Sequence, residues 1–213
     1  NKSVAVFSLE MPREQIALRM LCSDARVNMQ SVRQGTLREE DWIKLATALG
    51  PLSEAPIYID DTSDISISEI RAKCRKLKLE KNIGLVVIDY LQLIQGSGKK
   101  NTNREQEIAE ISRSLKIMAK ELEIPVIALS QLSRESEKRQ DHKPMLSDLR
   151  ESGSIEQDAD IVMFIYRDDY YNKEESEKKD RAEIILAKHR AGATGSVELL
   201  WLGNYTKFVS LDK

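Results

Sequence analysis

The feature that most constrains this chain is an alternation. Short, uninterrupted apolar runs of strand length take turns with longer stretches whose apolar residues recur every three or four positions. Continuous apolar runs suit strands buried on both faces, and such strands separated by amphipathic helices form a mainly parallel sheet, so the expected class is α/β. Strands are expected at residues 4–8, 57–59, 85–88 and 125–130, the third and fourth of them buried. Helices are expected at 12–25, opening on Pro12, from Thr36 through Gly50, from Ser66 or Ser68 onward, and at 104–123. Residues 96–101 and 131–147 read as loops, and 167–180 as a charged excursion. The runs at 161–166, 182–187, 197–202 and 208–211 suggest an antiparallel patch at the C-terminal end. No repeat and no boundary interrupts the pattern, so one domain over residues 1–213 is expected.

Charge and composition exclude several classes. Lys and Arg number 33 against 35 Asp and Glu, a net charge of −2, so no global field draws the chain to a polyanion and any such site must be local. With 41% hydrophobic residues the chain can bury a sizeable core. Its apolar runs fall far short of the roughly 20 residues of a membrane-spanning helix. No signal-peptide pattern opens it either, which points to the cytoplasm. Two cysteines and two histidines, none at metal-ligand spacing, leave no zinc site and no disulfide framework.

In a parallel sheet ligands bind beyond the carboxyl ends of the strands. Those ends are polar here: Glu10 after the first run, Asp60 and Asp61 after the second, Asp89 after the third, Ser130 and Gln131 after the fourth. Together they could hold a metal, a phosphate and a water. Gly84-Leu85-Val86-Val87-Ile88-Asp89-Tyr90 has the form of a Walker-B strand whose carboxylate binds Mg²⁺, although an Asp in that place also caps turns. Glu10, two residues before Pro12, suits either a helix N-terminus or the activation of a water. Gln131 is either a loop residue or an amide that senses a terminal phosphate. Lys188 and Arg190 open a glycine-containing hairpin turn from which they could project, with His189 between them read as a packing histidine. Residues 148–160 set a glycine and small hydroxyls before a short helix, which could present N–H groups to phosphate, while their many acids argue against tight nonspecific binding. The methionines read as core filler, and residues 174–180 as a solvated run.

Five segments carry a family resemblance. Ser8-Leu9-Glu10-Met11, Val87-Ile88-Asp89-Tyr90-Leu91-Gln92-Leu93, Ala128-Leu129-Ser130-Gln131-Leu132-Ser133-Arg134, residues 148–160, and Lys188-His189-Arg190-Ala191-Gly192 occur in the order seen in DnaB-type hexameric replicative DNA helicases. The resemblance covers essentially the whole chain and implies a three-layer RecA-like ATPase core. It further implies a homo-hexamer with ATP and Mg²⁺ between neighbours, single-stranded DNA in the central channel, and a primase and a helicase loader as partners. By resemblance Glu10 polarises the attacking water, Asp89 serves the Mg²⁺ site, and Gln131 couples the γ-phosphate to the DNA loops. Lys188 and Arg190 resemble the cations offered to a neighbour's nucleotide, and Arg150, Glu151 and Gly153 the loop on the DNA backbone.

One family motif is missing. G-x-x-x-x-G-K-[ST] does not occur in the 213 residues, and Gly98-Lys99-Lys100 lacks both the upstream glycine and the hydroxyl that reaches Mg²⁺. In the family that loop precedes the Glu10 segment, as do an N-terminal helical domain and a linker helix. The expectation is therefore an N-terminally truncated motor domain, inactive alone. The alternatives are a RecA-like recombinase or another ring ATPase, and a non-catalytic scaffold for replication proteins.

Overall fold

The computed structural model describes residues 2–96, 103–172 and 176–211, with residues 150–152 described by their backbone. In chain order the first elements are β1 (Ser3–Ser8), α1 (Arg13–Ala25), α2 (Met29–Gln34), α3 (Glu39–Glu54), β2 (Ile57–Asp60), α4 (Ile67–Lys81), β3 (Ile83–Asp89) and α5 (Arg104–Leu122). They are followed by β4 (Val126–Ala128), α6 (Glu135–Lys138), α7 (Gly153–Asp158), β5 (Ile161–Tyr166), α8 (Asp168–Tyr171), β6 (Arg181–His189), β7 (Gly195–Leu202) and β8 (Lys207–Ser210). Contacts gather in two compact units. The first comprises the segment ending at Arg13, Pro56–Ser136 and Leu146–Ala159; the second comprises Glu14–Ala55, Glu137–Met145 and the segment from Asp160 onward.

The first unit is built on a parallel sheet in the order β2-β1-β3-β4. β1 and β3 are its inner strands; Ala5 and Phe7 of β1 and Val86 and Ile88 of β3 are buried and alternate with the partly buried Val4, Val6, Leu85 and Val87, so one face is more deeply covered than the other. α4 and α5 pack on each other, and α4 on β1 and β3. Ser66 opens α4 through a capping box: its hydroxyl accepts from the Glu69 N–H, and the Glu69 carboxylate accepts from the Ser66 N–H at 2.9 Å. That reciprocal pair needs an acid three residues on, which selects Ser66 over Ser68. Along α5 the residues Ile108, Ile111, Leu115, Met118 and Leu122 repeat at three and four and form the stripe that joins the core. On the outer surface Glu121 of α5 accepts from both Arg71 and Arg75 of α4.

β4 differs from expectation. The run 125–130 reads as a buried strand, but only three residues pair, all with β3, and Ile127 is 42% exposed. Its other edge bears no strand among the described residues, and Ala128 is exposed as well.

The second unit holds an antiparallel sheet, β5-β6-β7-β8 in sequence order. In β5 burial alternates: Val162, Phe164 and Tyr166 are buried, whereas Ile161, Met163 and Ile165 are exposed. The Tyr166 hydroxyl reaches the Asp141 carbonyl at 3.0 Å and the Asp168 carboxylate at 3.1 Å. Trp201 and Phe208 pack across β7 and β8 with ring centroids 4.6 Å apart. Helix bounds in this unit depart from the sequence reading. α3 begins after Arg38, where the Asp41 carboxylate accepts the Arg38 N–H, and not at Thr36; it runs past Gly50 and Pro51. α2 lies outside the expected helices, although Asn28 caps it and Gly35 closes it at φ +68°. Short helices α6 and α8 occupy segments that read as loop. Among the described residues no helix is long and apolar enough to cross a membrane.

Candidate functional site

Parallel pairing aligns the carboxyl ends of β1, β3 and β4. Ser8 stands in register with Asp89, and the Leu9 N–H donates to the Asp89 carbonyl at 2.7 Å, so Glu10 leaves its strand beside Asp89. On the other flank the Leu129 N–H donates to the Ile88 carbonyl and the Leu91 N–H to the Leu129 carbonyl, both at 2.9 Å. Gln131 therefore emerges two residues beyond a point tied to both sides of Asp89. The Asp89–Tyr90 peptide is cis. Glu10, Asp89 and Gln131, three sequence candidates, thus leave three adjacent strands at one edge of the sheet.

Two further strand-end acids have other work. Asp60 accepts from the Lys73 ammonium at 2.6 Å and from the Thr62 N–H at 3.0 Å. Desolvation pushes the Asp60 carboxyl upward, but the Lys73 and Thr62 donors outweigh it and hold it below its ordinary value. Asp61 accepts from the Arg13 N–H at 3.0 Å and so caps α1, the role that Glu10 was the sequence candidate for. Asp60 and Asp61 consequently drop out of the set that could hold a metal, phosphate and water. Glu10 is exposed beyond β1.

Asp89 fits a divalent cation of one kind. Among the described residues no group of three His, Cys, Asp or Glu side chains is placed to hold a metal. A single carboxylate at a strand end suits Mg²⁺, which takes one or two carboxylates and completes its shell with phosphate oxygens and water. The phosphate cradle such a site needs is not among these 213 residues.

Gln92, to which the sequence reading gives no role, joins the two strand ends. Its Nε2 donates to Ser130 Oγ at 3.0 Å and to the Gln131 carbonyl at 3.2 Å, and its Oε1 accepts from the Gln131 N–H at 3.2 Å. The Arg104 guanidinium at the head of α5 donates to the Gln92 carbonyl and is itself paired with Glu107 at 2.7 Å. No local pattern signals this, because the partners are 38 and 39 residues away.

The segment after Gln131 reaches the candidate nucleic-acid loop. The Ser133 N–H donates to the carbonyl of Asp148, a residue only 2% exposed. Leu146–Ser152 is a 3-10 helix that carries Arg150 and Glu151, whose side chains lie outside the described ones, and Gly153 opens α7. A Cβ at Gly153 would meet nothing within 4 Å, so local packing does not demand glycine there. Ser112 of α5 donates to the Asp158 carboxylate at 2.8 Å and pins the far end of α7.

Lys188 and Arg190 belong to the second unit. β6 continues through His189, so Lys188 sits in the strand opposite Val162 and not in the turn. Arg190 begins the turn; its N–H donates to the Asp160 carbonyl at 2.8 Å and its guanidinium lies 3.3 Å from the Asp160 carboxylate. A Cβ on Gly192 would come within 2.4 Å of the His189 ring, which accounts for the glycine and makes His189 a packing residue of the turn.

Residues 1–210 match the family described as DnaB-like helicase C terminal domain. The chain belongs to that family. The replicative DNA helicase DnaB of Geobacillus stearothermophilus is 62% identical over 213 residues, which is 100% of this chain and 47% of that protein. The replicative DNA helicase DnaC of Bacillus subtilis is 61% identical, again over 100% of this chain and 47% of that protein. The chain thus spans about half the length of the curated relatives it matches. Among solved structures, a DnaB-like replicative helicase, whose structure was described with its interactions with primase, superposes with a TM-score of 0.94 at 47% identity, over 99% of this chain and 51% of that one. A separately solved ATPase domain gives the same TM-score and identity over 99% and 75%. The fold is therefore the RecA-like α/β core of DnaB-like domains, as the five motifs implied. In this DnaB-like domain, Glu10, Asp89 and Gln131 occupy strand ends that pairing alone brings side by side.

Proposed function

We propose that the chain is a single motor domain, residues 1–213 without its phosphate loop, of an ATP-dependent replicative DNA helicase that translocates on single-stranded DNA and unwinds duplex at the replication fork. The observation that carries this reading is the alignment of Glu10, Asp89 and Gln131 at three neighbouring strand ends in a DnaB-like domain. The Glu10 carboxylate orients the attacking water and takes up its proton at an Oε atom, a step that contributes roughly 10²- to 10⁴-fold. Asp89 is the residue that would hold Mg²⁺, directly or through water, and the ion would supply charge neutralisation at the phosphates. Gln131 donates its amide N–H to the terminal phosphate, and the Ser133–Asp148 bond relays its position to the loop holding Arg150, Glu151 and Gly153. Arg150, together with the backbone N–H groups of Glu151 and Gly153, holds the DNA backbone, a mode that tolerates any sequence. Lys188 and Arg190 serve the nucleotide of the adjacent subunit in a homo-hexamer, so that hydrolysis depends on assembly; a trans arginine is worth roughly 10³ to 10⁵ in rate. Primase and a helicase loader are the further partners, and the cytoplasm is the place of action. These residues alone, without G-x-x-x-x-G-K-[ST], bind nucleotide weakly and turn over negligibly.

The test uses the full-length protein. Asp89→Ala and Glu10→Gln are each expected to lower DNA-stimulated ATPase by about 10² or more while rings still assemble. Undiminished hydrolysis by both variants would remove the motor reading. Arg150→Ala is expected to weaken single-stranded DNA binding and reduce its salt dependence.

A further inference from the structure

The amide of Gln92 binds the backbone of Gln131 in the manner of a peptide group. It accepts from the Gln131 N–H and donates to the Gln131 carbonyl, each at 3.2 Å, with Ser130 Oγ as a second acceptor at 3.0 Å. An N–H can only meet an acceptor, so Oε1 must face the Gln131 N–H and Nε2 the carbonyl, and all three bonds agree with that one orientation. The last backbone bond between the two segments, Leu91 N–H to the Leu129 carbonyl, lies just before this pair. The Gln92 side chain therefore adds a rung to the ladder where the chains diverge. The rung has its own anchor, since Arg104 holds the Gln92 carbonyl and Glu107 holds Arg104.

We infer that Gln92 is a positioning residue for the hydrolytic centre: its amide clamps the backbone of Gln131 to the segment that follows Asp89, so the sensor amide and the Mg²⁺-site carboxylate keep a fixed separation. The inference rests on the proposed role of Gln131. Gln131 itself is exposed, so burial of its own side chain does not fix its backbone. A misplacement of about 1 Å at a reacting group costs on the order of 10²-fold in rate, so loss of the clamp acts on turnover more than on nucleotide affinity. A role in folding alone would instead lower stability and leave the turnover of assembled rings intact.

The experiment compares Gln92→Ala, Gln92→Met, Gln131→Ala and the Gln92→Met/Gln131→Ala double variant in the full-length protein, reading ring assembly, kcat and KM for ATP with single-stranded DNA present. Methionine keeps the length and bulk of the side chain without the amide, so it decides the matter if the alanine variant assembles poorly. The expected result is a fall in kcat of about tenfold or more for Gln92→Met, with KM within about twofold. The double variant should be no slower than Gln131→Ala, because both changes remove one function. Normal turnover by Gln92→Met beside an impaired Gln131→Ala overturns the clamp and leaves the sensor standing. Multiplying losses in the double variant also overturn it, since Gln92 would then act apart from Gln131. An unimpaired Gln131→Ala overturns the sensor reading and the clamp with it.

Discussion

The two units solve the same problem, burying apolar strands, in opposite ways. In the first, parallel pairing hides β1 and β3 and sends every carboxyl end to one edge, where Glu10, Asp89 and Gln131 collect. In the second, antiparallel pairing sends successive strands in opposite directions, so each end of the sheet joins the finish of one strand to the start of the next. Asp160 before β5 meets Arg190 after β6 in this way. The parallel unit thus gathers candidate residues from several strands at one edge, whereas the antiparallel unit presents single side chains on turns. Each unit also holds one buried thiol, Cys74 in the first and Cys22 in the second. Burial pushes the Cys74 thiol up to about 12, and Cys22 upward as well, so both stay protonated and unreactive until their own unit opens.

That pair of thiols makes the comparison breakable. The largest effect is expected from Phe7→Ala in β1: the ring is 1% exposed, and its loss from a packed core costs about 3–5 kcal/mol. Thiol labelling in sub-denaturing urea should then reach Cys74 well before Cys22; simultaneous labelling would mean that the units open as one. Next comes Tyr166→Phe in the second unit, which removes the hydroxyl between the Asp141 carbonyl and the Asp168 carboxylate. A loss of about 1–2 kcal/mol is expected, with Cys22 labelling accelerated first. Ser66→Ala, which breaks the capping box of α4, should cost about 1 kcal/mol in urea unfolding and show at Cys74. The smallest change concerns Glu121, whose carboxyl the Arg75 and Arg71 hydrogen bonds hold down at about 2, against an ordinary 4.5. A depressed carboxyl lends stability above its ordinary value and loses it as pH falls toward 2. Glu121→Gln should accordingly unfold at a slightly lower temperature than the unmodified chain near neutrality and decline less steeply between pH 4.5 and 2, so that the two converge in acid.

Local patterns carry β1, β3, the α5 stripe and the Ser66 cap, because each depends on residues within a few positions of one another. The family is legible for a similar reason: its motifs are short, contiguous and ordered. What stays hidden depends on partners brought from far along the chain. Asp60 looks like Asp89 in sequence, yet Lys73 on α4 claims it. Asp61 resembles a ligand until the N–H of Arg13, 48 residues upstream, is brought against it. Gln92 sits inside a family motif without an evident role, since its partners lie beyond the whole of α5. β4 reads as buried because its sequence is apolar, yet Ile127 and Ala128 are exposed on this outermost strand of the sheet. α2 is legible only from Asn28 and Gly35, two caps bracketing six residues with no strong apolar face.

The alternation along β5 also governs how the chain behaves in a test tube. Ile161, Met163 and Ile165 are exposed on one side of a strand whose outer edge carries no ladder among the described residues. A greasy strand with one open edge is a template for its own copies, and crowding favours stacking of one chain on the next. Concentrated stocks should scatter light more with each increase in protein, and a lysine at Met163 should keep them clear.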